Sequence, residues 1–215
     1  MTNKEIALEE RTASGARLRS PSAERNRDAI REVFLRLMPG AGAIVEIASG
    51  SGQHGAHIAA ASPDIYWRPG DPDAASRTSI AAWTAHSGLA NVAAPHNADV
   101  TRTGWEGDFG AADGVFCANM IHIAPFEAAK GLIAGAGRLL KPGGRLMLYG
   151  PFTRNGAHTA PSNEAFDASL KARDPRWGVR DLDRDIAPLA IAAGLSLVEI
   201  VDMPSNNFSV IFEKG

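Results

Sequence analysis

A β-branched apolar run that turns through glycines into an alanine-rich helix is the feature that most constrains this chain. It reads Ile44-Val45-Glu46-Ile47-Ala48-Ser49-Gly50-Ser51-Gly52-Gln53-His54-Gly55, with His57-Ile58-Ala59-Ala60-Ala61 close behind. The first part predicts a buried strand over 43–48, and the last predicts a helix to about Ala61. A strand, a glycine turn and a helix in succession hold nucleotide-like ligands. The glycines let the turn tighten and let the backbone approach the ligand closely. The spacing Gly50-x-Gly52-x-x-Gly55 does not choose the ligand by itself; its neighbours do.

From there the elements alternate. Ile65-Tyr66-Trp67-Arg68-Pro69 predicts a second strand, followed by a helix over 74–87 that Gly88 stops. Asn91-Val92-Ala93-Ala94 predicts a weak third strand and Asp113 to Met120 a buried fourth. A helix runs from Pro125 to Leu140, and a fifth strand ends at Tyr149. Leu195 to Val201 and Phe208 to Phe212 are two more strands, joined by Met203-Pro204-Ser205-Asn206-Asn207. This alternation predicts an α/β fold: a doubly wound, mostly parallel sheet with helices on both faces. Upstream, Ser20-Pro21 marks a helix start, and Ile30, Val33, Phe34 and Leu37 give that helix one apolar face. Residues 1–19 are polar and predict a flexible arm, which leaves 20–215 as a single domain.

Ligands of such sheets bind at the carboxyl ends of the strands. Glu46 to Gly52, Asp71, Asp99 and Asn119 to His122 all fall there. Asp71 lies 21 residues after Gly50. An acid so spaced accepts hydrogen bonds from both hydroxyls of a ribose; alternatively, Asp71 or Asp73 caps the next helix. Asp99 with Val100 meets an adenine edge, or Asp99 forms a turn. The polar segment Ser20 to Arg27, with Arg25 and Asn26, is a solvated helix end or a lid over the pocket.

Bulk properties bound the function. A net charge of −2 gives no general attraction to nucleic acid or to anionic membrane. The single Cys117 cannot form an internal disulfide, which suits a reducing cytosol. No run of about 18 apolar residues is present, and the first residues lack the apolar core of a signal peptide. A cytoplasmic protein with a small-molecule substrate is therefore expected; oligomeric state is open.

The run Glu46-x-Ala48-x-Gly50-x-Gly52, with Leu140-Lys141-Pro142-Gly143-Gly144 before the fifth strand, resembles class I S-adenosylmethionine-dependent methyltransferases. Ala48 stands where that superfamily usually has its first glycine. The resemblance implies a Rossmann-like, seven-stranded sheet closed by a C-terminal antiparallel hairpin. It also implies S-adenosyl-L-methionine as cofactor. Ser20-Pro21-Ser22-Ala23-Glu24-Arg25-Asn26, Ser162-Asn163-x-x-Phe166-Asp167, Arg173-Asp174-Pro175-x-Trp177-Gly178-x-Arg180-Asp181 and Met203-Pro204-x-Asn206-Asn207 narrow it. Together they resemble domain-of-unknown-function family 938, which includes methyltransferase-like 26 proteins. On this reading Glu46, Ala48, Gly50, Gly52, Asp71, Asp99, Val100, Asn119, Arg25 and Asn26 bind the cofactor. The alternatives are an NAD-dependent oxidoreductase and a non-catalytic S-adenosylmethionine-binding module. Against the former, the Glu46 carboxylate would repel a pyrophosphate.

Methyl transfer from a sulfonium is an in-line displacement that needs alignment more than acid–base chemistry. If the acceptor needs a base, His122 after the fourth strand is the first candidate and Tyr149 another, with His158 and Asp167 behind them. No metal site is expected: His54 and His57 have no third ligand and read as surface or packing residues. Cys117 reads as a buried structural thiol. Trp177 and Arg180 either line an acceptor pocket or pin their loop.

Overall fold

The computed structural model describes residues 11–215. Residues 1–10 of the expected arm lie outside that range. The remainder of the arm is ordered as a hairpin of β1 (Thr12–Ser14) and β2 (Arg17–Arg19). Neither strand has an apolar run to announce it. Tertiary contacts to α3 (Ala74–Ser87) hold it instead. The Leu18 N–H donates to Ser79 Oγ at 2.8 Å, the Trp83 indole donates to Leu18 O at 2.8 Å, and Arg17 lies over the Trp83 ring.

Helix α1 (Pro21–Leu37) starts as the sequence predicts. Ser20 is its N-cap, accepting from the Ala23 N–H, with Pro21 in the first turn. It buries Ile30, Val33 and Phe34 and stops before Pro39.

The central sheet contains β3 (Gly42–Ile47), β4 (Ile65–Gly70), β5 (Ala112–Ala118), β6 (Leu140–Gly150), β10 (Leu195–Met203) and β11 (Asn207–Lys214). Its order is β10-β11-β6-β5-β3-β4. The four strands from β4 to β6 are mutually parallel; β11 pairs antiparallel with β6 and with β10. Six strands stand where seven were expected. The segment near 91–96 adds only two isolated bridges to β4, Trp67 with Val92 and Gly70 with His96. Pro69 and Pro95 lack N–H donors, so a continuous ladder cannot form between these segments.

Neighbouring residues of each strand face opposite layers. Ile44, Phe116, Met147 and Ile211 pack with Phe34 of α1 and Ile58 of α2 (Gln53–Ala60). Val45, Val115, Leu146 and Val210 pack with Leu132 and Ala136 of α4 (Phe126–Leu139), and with Ala190 of α6 (Ala187–Ala192).

Beyond β6, β7 (Phe152–Arg154) and β8 (Ala157–His158) join β9 (Arg180–Asp181) in a small sheet. Helix α5 (Pro161–Arg173) follows; Ala160 takes its cap position without a side-chain bond. A π-helical turn, Leu182–Ile186, runs directly into α6, and Pro188 lies at that junction. Among the described residues no helix is long and apolar enough to cross a membrane.

Candidate functional site

A cleft of 980 Å³ opens at the carboxyl ends of β3, β4 and β5. The glycine turn forms its floor. Gly52 adopts φ 87, where an L side chain is strained, and a Cβ there would lie 2.8 Å from Ile80 Cα. Ala48 also has a left-handed φ, 56. This is the position where the superfamily pattern calls for glycine, and the backbone shows why. Ser49 Oγ accepts from the Gly70 N–H at 3.2 Å, tying the turn to the end of β4.

Two carboxylates line this floor. Glu46, near the end of β3, is only 2 % exposed. Its Oε2 accepts the Trp67 indole N–H at 3.0 Å. Burial pushes its pKa up to about 7, with the indole bond pulling the other way. Asp71, just past β4, accepts the Gly50 N–H at 2.9 Å through Oδ2 and the Asp73 N–H at 2.9 Å through Oδ1. Burial raises its pKa as well. The capping alternative falls to its neighbour: Asp73 caps α3 by accepting the Ser76 N–H at 2.7 Å, and Asp71 faces the cleft.

Asp99 and Val100 form another wall, and Asp99 is also a turn former, accepting from the Thr101 N–H and hydroxyl. Asn119 lines the cleft at φ 61, its N–H donating to Tyr149 O at 2.8 Å. Met120, Ile123 and Ala124 continue the wall toward Trp177 on the loop after α5. Trp177 and Arg180 divide the two roles considered for them. Trp177 lines the cleft. The Arg180 guanidinium pins the loop, donating to the carbonyls of Ile121 (2.9 Å), Ala124 (2.8 Å) and Arg176 (2.8 Å) and stacking over Phe126. Asp167 holds the same loop, accepting the Val179 N–H at 2.8 Å.

Several expectations need correction. His122 is fully buried and does not line the cleft. Its Nδ1 accepts the Arg180 N–H at 3.3 Å, its ring packs edge-on against Phe152, and burial pushes its pKa down to about 3. It is buried under the 177–180 loop and lies off the cleft wall. Tyr149 is 2 % exposed on the α1 face of β6, its hydroxyl against Asn26 and Asn207, and burial raises its pKa. Arg25 is exposed on α1, and neither it nor Asn26 lines the cleft. From this segment Ser20, Ser22 and Ala23 do. His158, too, sits off the cleft, 3.6 Å from Asp167.

His54, read as a packing residue, is a cleft residue. Its Nε2 lies 2.8 Å from Asn26 Oδ1. A carbonyl oxygen only accepts, so Nε2 carries the proton and Nδ1 keeps the lone pair. Burial lowers its pKa to about 4, so the ring is neutral at pH 7. Arg11 and Leu18 of the hairpin were missed too. His57 pairs with Asp28 at the surface. Cys117 is buried, and burial pushes its thiol pKa up, away from nucleophilic use. Among the described residues no cluster of His, Cys, Asp or Glu is arranged to hold a metal.

Comparison with known proteins gives one family and many similar folds. The model of the family described as "Protein of unknown function (DUF938)" matches residues 17–214. An O-methyltransferase family protein from Burkholderia thailandensis superposes with a TM-score of 0.71 at 18% identity, covering 88% of this chain and 59% of its own. An O-methyltransferase family 2 protein from Planctomyces limnophilus, in complex with apigenin, gives 0.74 at 16% identity, covering 90% and 58%. CalO1, a methyltransferase in calicheamicin biosynthesis in its SAH-bound form, gives 0.67 at 17% identity, covering 87% and 54%. The chain thus spans little more than half the length of these structures, and the likeness is one of fold.

Proposed function

The chain belongs to domain-of-unknown-function family 938, and from that premise we propose that it is an S-adenosylmethionine-dependent methyltransferase acting on a small-molecule acceptor. One observation carries the proposal. Glu46, the glycine turn and Asp71 converge on one cleft at the carboxyl ends of parallel strands. The methyltransferase folds that superpose on the chain, one of them SAH-bound, support the same reading.

Glu46 takes the ammonium group of the cofactor, and Ala48, Gly50 and Gly52 let the backbone approach its methionine part. The Asp71 oxygens each accept one backbone N–H. Each keeps a lone pair for a ribose hydroxyl. Asp99 and Val100 flank the adenine, and Asn119 stands at the methionine end. When bound, S-adenosylmethionine supplies an electrophilic methyl on a sulfonium. The protein aligns the acceptor and excludes water. Ile123, Ala124 and Trp177 offer an apolar and aromatic wall for that acceptor. His54 lines the same cleft, and its pKa, lowered by burial to about 4, makes it a weak base there.

Calorimetry with S-adenosylhomocysteine (SAH) tests the reading, with NADH as the competing ligand. Binding of SAH and not of NADH is expected. A folded protein that binds NADH and ignores SAH would be an oxidoreductase.

A further inference from the structure

Glu46 is a buried carboxylate with no ion pair among the described residues. Its one side-chain donor from the opposing strand, Trp67, is itself fully buried. The indole packs against Phe34 and Phe116 at ring separations of 5.5 Å and 6.1 Å, which fixes the direction of its N–H. Helix α2 seals the pair from above. A Cβ at Gly55 would lie 2.5 Å from Trp67 Nε1 and 2.7 Å from Glu46 Oε2. The third glycine of the turn motif therefore leaves room for a carboxylate–indole pair, and its role here owes nothing to a phosphate.

The groups acting on Glu46 supply no positive charge; Arg11, which lines the same cleft, bears instead on Asp71 and Asp73. Asp71 beyond β4 carries the same sign, Cys117 on β5 is a thiol, and Ser49 is a hydroxyl. His54, from α2 on the same cleft, is neutral at pH 7. A charge left in that setting is costly until a cation arrives. The indole bond and the Ser49 hydroxyl both favour the ionised carboxylate.

We propose that Trp67 is a positioning residue acting through Glu46, and that the pair makes cofactor affinity depend on the release of a proton from Glu46 to solvent. This rests on the reading of the cleft as an S-adenosylmethionine site. The burial that lifts Glu46 to about 7 leaves it partly protonated in the free protein near neutral pH. The ammonium of the ligand then drives that proton off.

The experiment is calorimetry with SAH on the wild type, Trp67→Phe and Glu46→Gln, from about pH 5.5 to about pH 8.5, in buffers of two ionisation enthalpies. The amino group of SAH titrates alike in all three, so differences belong to the protein. Wild type should release a proton on binding and lose about tenfold in affinity per pH unit below the midpoint. Trp67→Phe removes a donor to a charged group, so it should bind about tenfold more weakly at pH 6 and approach wild type at the alkaline end. Glu46→Gln should release no proton at this site and show the flattest profile. A folded Trp67→Phe weakened by one factor at every pH overturns the proposal, because lost packing alone gives that pattern. If Trp67→Phe does not fold, Glu46→Gln decides: wild-type proton release in that variant overturns the proposal, and its loss supports it. No SAH binding by the wild type at any pH defeats the cofactor reading, and the proposal with it.

Discussion

Ala48 and Asp71 show how much one backbone angle or one carboxylate carries. At φ 56 an alanine is strained by roughly 1–2 kcal/mol, and a glycine is not. Glycine also loosens the unfolded chain, at a cost of roughly 0.4–1 kcal/mol. Ala48→Gly should therefore leave the protein as stable as before or up to about 1.5 kcal/mol more stable, read from the denaturant midpoint at unchanged slope. Ala48→Val should be clearly destabilising, since a β-branched residue tolerates this region less. Asp71 is reserved for a ligand on the reading above. Asp71→Ala should weaken SAH binding by about 10- to 100-fold in calorimetry, the scale of one or two hydrogen bonds to a charged group. An unchanged affinity would remove the ribose assignment.

At the scale of elements, the loop after α5 is the part of the site that local sequence describes least. It is built by Arg180, which satisfies three carbonyls at once. Arg180→Ala should cost about 2–3 kcal/mol in chemical denaturation, because carbonyls at a covered site lose their donor. It should also open residues 174–181 to limited proteolysis. Arg180→Lys should rescue little, since one ammonium cannot reproduce a planar fork of donors. The same loop explains why His122 was misread. Its position at a strand end is legible, but the cover comes from Gly178 and Arg180, more than fifty residues downstream. Tyr149 was misread through parity: adjacent residues of a buried strand face opposite layers, and in a strand apolar on both sides the sequence does not say which.

For the whole molecule, the buried titrating groups set opposing pH dependences. Glu46 has a folded pKa of about 7, well above the ordinary carboxylate value of 4.5. The folded state holds its proton more tightly, so the contribution of Glu46 is fully present below 4.5 and is lost as pH rises through 7. Glu46→Gln keeps an acceptor for Trp67 and removes that loss. It should be more stable than wild type by ~3 kcal/mol near pH 8, with the difference vanishing near pH 4.5, in unfolding curves recorded across pH. His54 and His122 act in the other direction. Their folded values, about 4 and about 3, lie below 6.5, so the stability they confer is present above 6.5 and is lost as pH falls through those values. An absence of any gain for Glu46→Gln at alkaline pH would show that Glu46 carries no such penalty.

What the sequence determined by itself is what short range controls. The β-branched run, the glycine turn and the capped helices are local, and the periodicities of two and 3.6 residues follow from backbone geometry. These suffice for the alternating α/β order and for the convergence of Glu46, Asp71, Asp99 and Asn119 at strand ends. Only the tertiary structure decided what covers those ends. The hairpin that brings Arg11 and Leu18 over the cleft is held by Ser79 and Trp83, more than sixty residues away. The burial that makes His122 structural and His54 a cleft residue is likewise a sum over distant segments, and desolvation, which sets the charge state of Glu46, is a property of that sum.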